Sequence, residues 1–380
     1  MQFLEDYNIF DREQACWFLQ INLESGLSHI GESVGNQSNL KTMDLIGLDN
    51  KQTRAFVFSG NALRNRIVRR VGIGYVCDRL GIKLTPDTHH TFFAGGRIDS
   101  STASDIGLDN NIRQMLPWIS VLGTAKPKGV LGSNASQMIP GRINIGNGLL
   151  ICLENIEYIY RQLPGLLPLE ALNSVEKIVV AKSKLSSDPF VRNSVRDTAE
   201  FQKVYDEEIT TVRNLIKSWT NYVTENQITR KDSLEDPEIA KFIVDLQLKI
   251  REGSDKMIAS SRLIKAGSQL VSRWDSKLTD IEIGFVLRSL VEFSKSPYLG
   301  GMGSRGCGLI SFVLWGQNPT AEIIKSTVNQ EIQISAYGQE KLAAFEEFLA
   351  NLKALMEEHE DFAQNEYLKL FDSHLVLAGV

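Results

Sequence analysis

An α+β fold, a β-sheet carrying helices on one face, is expected for this chain, and three observations predict it. Alternation over residues 16–26 places Trp17, Leu19, Ile21 and Leu23 on one face of a strand. Leu63, Ile67, Val71 and Tyr75 recur every four residues, so residues 61–76 form a helix with one apolar stripe. Strand, helix, strands, helix, strand then follow in order around a long polar insertion.

The elements follow along the chain. After the first strand comes a polar, Gly-rich stretch from Ser28 to Asp44, then a short strand over 55–58. Ser59 or Asn61 caps the helix that follows. Residues 86–150 are rich in Gly, Ser and Asn and end in a strand over 149–153; Val175 to Ala181 is another strand. Residues 196–254 are polar and helical in period, broken at Pro237, and read as an insertion because strand-like sequence resumes at Ile258 and again at Gln269. Thr279 caps a helix over 280–293. A Gly loop over 298–308 opens into a strand over 309–315, and residues 339–373 form an amphipathic helix.

Composition narrows the function classes. The 380 residues, 43% hydrophobic and 23% charged, suit one large or two ordinary domains with a real core. No apolar run is long enough to span a membrane, and the N-terminus has no signal-peptide pattern. Cys16, Cys77, Cys152 and Cys307 are far apart without a CxxC pair, so neither a zinc ribbon nor a disulfide framework is expected; a reducing cytoplasm fits. The net charge of -5 argues against a generic nucleic-acid binder but hides an asymmetry. Residues 51–100 carry nine Lys/Arg against three Asp/Glu, and residues 340–380 the reverse balance, three against nine. A polyanion site on one face is compatible with that, as are two solvated surfaces.

Several motifs match catalytic patterns in letters only. Residues 301–306 spell GxGxxG, but a helix precedes and a strand follows, the reverse of a dinucleotide site. Residues 31–35 spell GxSxG around Ser33, yet no helix follows to hold a nucleophile. His89 and His90 are adjacent, and on a strand their side chains point to opposite faces, so a metal pair is not expected.

One constellation remains. Ser59, Gly60 and Asn61 form a turn into a helix that carries Arg64, Arg66, Arg69 and Arg70. Exposed N–H groups and guanidinium forks suit phosphate, although a solvated basic face on a core helix shows the same letters. Far along the chain, Gly300, Gly301, Gly303, Gly306 and Gly308 surround Arg305 in a loop suited to a sugar–phosphate backbone.

These segments, in this order, resemble the CRISPR-associated RAMP superfamily. Ser59-Gly60-Asn61-Ala62-Leu63-Arg64 is similar to its turn-plus-helix motif, residues 298–308 to its C-terminal Gly-rich loop, and residues 266–270 to the segment before its second strand and helix. Over residues 15–316 the chain most resembles a Cas-seven-type backbone subunit; residues 92–96, 116–123 and 138–145 point to the type IV version.

The resemblance implies an RRM-like (ferredoxin-like) palm. Residues 1–174 would hold its first half with a finger-type insertion at about 86–150, residues 175–257 a largely helical thumb, and residues 258–338 the second half. Residues 339–380 would be an acidic helical tail packed on its own domain or on a neighbour. It implies guide RNA (crRNA) as ligand, target nucleic acid held by pairing with that guide, and copies of the same chain and other effector subunits as partners. It implies no cofactor. RNA contacts would come from Ser59, Asn61, Arg64, Arg66, Arg69, Arg70, Arg97, Arg142, Lys182, Lys184, Gly301, Gly303, Arg305 and Gly306. Cleaving relatives carry an aspartate in the loop after the first strand; here Gln37-Ser38-Asn39 stands at the matching place, so a non-catalytic scaffold is expected. The competing expectations are an endoribonuclease using His29 with Glu32 or Asp44, and a small-molecule enzyme built on residues 86–150.

Overall fold

The computed structural model describes residues 6–34, 37–46, 52–82, 84, 89–95, 106–126, 137–152, 155, 156, 158, 159, 190–193, 210, 214, 217, 221, 258–261, 263–316, 321–329 and 331–358. The expected strand at 175–181, most of the helical insertion at 196–254, and Arg97, Lys182 and Lys184 lie outside these residues. Two compact units are present: one of Met1–Gly31, Leu40–Ser187 and Leu263–Val380, the other of Glu32–Asn39 and Asp188–Arg262.

The first unit is built on a mixed-order sheet, α+β as the pattern predicts. Its strands are β1 (Glu13–Leu23), β4 (Thr42–Ile46), β5 (Gln52–Phe58), β8 (Ile143–Ile145), β9 (Gly148–Leu150), β12 (Gln269–Leu278), β13 (Ile310–Trp315), β14 (Glu322–Ser326) and β15 (Ile332–Ile334). They run in the order β15-β14-β13-β1-β12-β9-β5-β4, with β8 also on β12. β1 lies between β12 and β13, antiparallel to both, with Trp17 opposite Trp274 and Ile21 opposite Phe312. The expected alternation holds, since Trp17, Leu19, Ile21 and Leu23 are all buried. The polar stretch after β1 proves to be strand as well, in β2 (Ile30–Val34), β3 (Gln37–Leu40) and β4. The second unit has its own four-stranded sheet, β10 (Phe190–Asn193), β11 (Ile258–Ser261), β3 and β2 in that order. A short pair, β6 (Thr124–Lys126) and β7 (Gln137–Ile139), stands apart.

Helices cover the face of the first unit's sheet that holds Leu19 and Ile21. The basic segment runs as α1 (Gly60–Leu63), a π-helix (Arg64–Arg70) and α2 (Val71–Leu80). The expected stripe is present, with Leu63 and Ile67 buried and Val71 and Tyr75 half-buried against the core, and Val68, Ile73, Val76 and Leu80 are buried beside it. Leu116 to Leu122, read only as part of a Gly-rich insertion, includes α4 (Pro117–Leu122), buried throughout; α3 (Ile106–Met115) precedes it. α5 (Asp280–Ser294) packs against α2, α4 and α6 (Ala336–Glu358). At the α5–α6 crossing, Gly284 lets the helices meet so closely that a Cβ there would strike the Lys341 carbonyl. The described part of the acidic tail, to Glu358, packs on its own domain and buries Leu342, Phe345, Leu349 and Leu352. His89 and His90 stand at the start of a second π-helix (His90–Ala94), correcting the strand expected there. Among the described residues no helix is long and apolar enough to cross a membrane.

The N-terminus of α5 explains Arg142. Thr279 and Glu282 form a capping box, each side chain bonded to the other's backbone N–H. The Glu282 side chain is fully buried, and its Oε1 accepts from Arg142 Nη1 at 2.7 Å. Arg142 is thereby the counter-charge of a buried carboxylate, a role the sequence reading did not assign to it. Replacing it strands that carboxylate, so Arg142→Ala should lower the unfolding free energy by about 3–5 kcal/mol. Chemical denaturation of the variant beside the parent checks this.

Candidate nucleic-acid interface

The turn that starts the basic helix is locked by its neighbours. Ser59 is extended (φ -63°, ψ 133°) and its side chain accepts from the Ala62 N–H at 3.2 Å, the N-cap that the sequence predicts. The Ser59 N–H donates to His29 Nε2 at 3.1 Å, and the Gly60 N–H donates to Asn147 Oδ1 at 2.8 Å. Three N–H groups expected to face phosphate are thus already bonded inside the protein. Asn147 lies in Gly146-Asn147-Gly148, between β8 and β9, a partner that nothing near residue 60 announces.

His29 holds the arrangement together. Its ring stacks on Phe58 with centroids 4.1 Å apart, and it is half-buried. Burial, reinforced by nearby Lys41, holds its pKa below the usual imidazole value. A neutral ring is what the geometry needs, because only an unprotonated Nε2 can accept from Ser59. This role differs from the acid–base role considered for His29.

The Gly-rich loop docks on the same stretch after β1. The Gly301 N–H donates to the Ser28 carbonyl at 3.0 Å, and the Gly308 N–H to the Gly26 carbonyl at 2.9 Å. Gly300 (φ 75°) and Gly308 (φ 85°) are required here, since a Cβ would collide with the carbonyls of Ser28 and Leu299 respectively. Gly301, Gly303 and Gly306 differ, for a Cβ on any of them would meet nothing within 4 Å. The loop therefore has a packed side and an open side. Met302, between the open glycines, has φ 65°, the single non-Gly residue with positive φ among the described residues. Such a conformation costs of order 1–3 kcal/mol and concentrates where a ligand or switch uses it.

The two distant segments meet directly. Arg66 Nε donates to the Tyr298 carbonyl at 3.1 Å, joining the basic helix to the base of the Gly loop. Ser28, bonded to Gly301, is the immediate neighbour of His29, bonded to Ser59. The Ser28 hydroxyl is buried at this junction with no partner among the described residues.

The four arginines separate into different roles. Arg66 and Arg70 are exposed. Arg69 is buried, and its guanidinium donates to the carbonyls of Phe92 (2.6 Å), Leu122 (3.2 Å) and Gly123 (2.9 Å). Burial, with Arg64 alongside, lowers its pKa to about 10. Arg69 is a brace between the helix and the carbonyls of Phe92, Leu122 and Gly123. Arg64 lies two residues before Arg66 on the π-helix and lines a cavity with Gly95, Gly123 and Met138. Asn61 lines that cavity too and is exposed. Arg305 is exposed, within the 3-10 turn Gly303–Arg305. Asp44 is paired across the β4–β5 ladder with Arg54, at 3.5 Å. Among the described residues no group of three or more His, Cys, Asp or Glu is arranged to hold a metal.

No protein-family model matches this chain, and no curated protein matches it. Among solved structures, the chain is similar to a chain of a structure titled Type IV-B CRISPR Complex, covering 79% of this chain and 90% of that one, with 15% identity and a TM-score of 0.45. It is similar also to the crystal structure of Thermofilum pendens Csc2, covering 98% of this chain and 85% of that one, with 11% identity and a TM-score of 0.34.

The His29 contact has a pH signature. Its folded pKa is depressed, so the unfolded chain takes up the proton first as the pH falls. The stabilisation is complete above the unfolded value of about 6.5 and is lost as the pH falls through the lower folded value. His29→Ala should cost about 1 kcal/mol at pH 7.5. The cost should shrink toward pH 5, which paired thermal melts of the variant and the parent would register.

Proposed function

We propose that this chain is a non-catalytic, guide-RNA-binding backbone subunit of a CRISPR effector ribonucleoprotein, of the Cas-seven type and nearest the type IV version. One observation carries the reading: two motifs of the resemblance, more than two hundred residues apart, meet at the Arg66–Tyr298 contact on a shared support after β1. A track that follows sugar and phosphate needs fixed cations beside an open backbone, and it leaves sequence to base pairing. Arg66, Arg70 and Arg305 supply exposed cations, and Gly301, Gly303 and Gly306 supply backbone that side chains do not screen. Arg97, Lys182 and Lys184 remain proposed contacts on the resemblance alone.

The scaffold reading is preferred to an endoribonuclease because the His29 ring nitrogen is already committed to the Ser59 N–H. Gln37-Ser38-Asn39 also puts no carboxylate where cleaving relatives have one. In the assembly, several copies of the chain follow one guide beside other effector subunits and present it to the target nucleic acid.

Co-expression with a guide and its partner subunits should yield particles far above 42.5 kDa that contain short RNA. Arg66→Ala, Arg70→Ala and Arg305→Ala should each weaken RNA binding equally for unrelated sequences. Each should also reduce the salt slope by about 1. A monomer free of RNA under those conditions, or a slope unmoved by all three changes, defeats the reading.

A further inference from the structure

The far side of the basic helix opens on a cavity of about 530 Å³ that the RNA track does not use. That volume is in the range of small-molecule sites, about 300–1,000 Å³. Arg64, Asn65 and Arg69 line one side, and Phe93, Met138 and Pro140 supply an apolar wall. Among the described residues, no Asp or Glu lines it.

Two features of its charge are out of balance. Arg69 has carbonyl partners but no anion there, and Arg64 adds a second guanidinium beside it. Arg64 Nε is buried with no acceptor among the described residues, and Asn65 Oδ1 is buried with no donor. Buried cations are ordinarily paired, and buried donors and acceptors ordinarily bonded. The groups left over are thus a cation with a vacant donor and an amide with a vacant acceptor. Beside them are Phe93, stacked on His89 at 4.6 Å, and Met138, which is 56% exposed at the surface. An oxyanion joined to a flat ring carrying N–H donors answers all of these.

We propose that this cavity is a mononucleotide site, taking a phosphate against Arg64 and a base against the Phe93–Met138 wall, with Asn65 accepting from the base edge. An aromatic wall and an amide are a common means of holding an unstacked base. The site shares nucleic-acid chemistry with the track but uses other residues, so either can fail alone. Its occupant is a free mononucleotide.

Calorimetric titration of the full chain with AMP and with inorganic phosphate tests it. AMP should bind, and phosphate should compete with it. Arg64→Gln should weaken AMP by at least about tenfold, the loss of a hydrogen bond between charged groups. Met138→Glu, a change at an exposed position that should leave folding intact, should weaken it similarly by replacing the apolar wall against the base with a charged group. Lys295→Gln, an exposed substitution at the end of α5, should leave it unchanged. AMP and short RNA should bind together; exclusion of AMP by short RNA overturns the proposal. Absence of AMP binding, or equal binding by the parent, Arg64→Gln and Met138→Glu, overturns the proposal, as does an acidic peptide binding where AMP does not. RNA binding without AMP binding sinks this site and spares the track; AMP binding without RNA binding does the opposite.

Discussion

Everything at the interface depends on the antiparallel pairing of β1 with β12 on one side and β13 on the other. That double ladder places the end of β1 where both the Gly loop before β13 and the start of the basic helix after β5 can reach it. Residues 26–29 then act as a common support. Gly26 and Ser28 accept from the Gly loop through backbone carbonyls, and His29 accepts from Ser59 through its ring. Backbone carbonyls fix position tightly because nothing rotates, and the stacked, half-buried His29 ring behaves almost as rigidly.

The same economy governs the glycines and arginines. Two glycines of the loop exist for packing and three for openness, a division set by which side of the loop faces Ser28 and Leu299. The arginines divide by direction around a helix. Arg69 braces carbonyls inside, Arg64 faces a cavity, Arg66 reaches the Gly loop and Arg70 faces solvent. A π-helix over this stretch sets those directions, while Leu63, Ile67, Val68 and Ile73 stay buried. Geometry of this kind is rare in ordinary helices and recurs at functional sites.

Strands with one apolar face were legible because burial of that face is a local, periodic demand; β1 and β12 are the clearest cases. The Thr279 cap was legible for a similar reason, as capping needs only residues within one turn. The polar strands β2, β3 and β4 were not, since their pairing comes from partners rather than from an apolar period. The internal partners of Arg142 and Arg69 were not legible, because residue type declares a cation but does not say which acceptor is near it. His29 was visible only as a candidate acid–base group, because its partner lies thirty residues away in the chain and meets it only after the sheet forms.

Residue order by itself determined the α+β class, the strand and helix of each half, the two Gly- and Arg-bearing segments and their likeness to the RAMP superfamily. Those are properties of short windows, where period, turn chemistry and capping act. Tertiary structure alone decided that the two segments meet and that three glycines stay open. It likewise decided that Arg69 and Arg142 belong to the scaffold and that Arg64 looks into a cavity. Each of those depends on contacts between chain segments far apart in sequence, and no local propensity encodes which carbonyl or carboxylate a guanidinium will find.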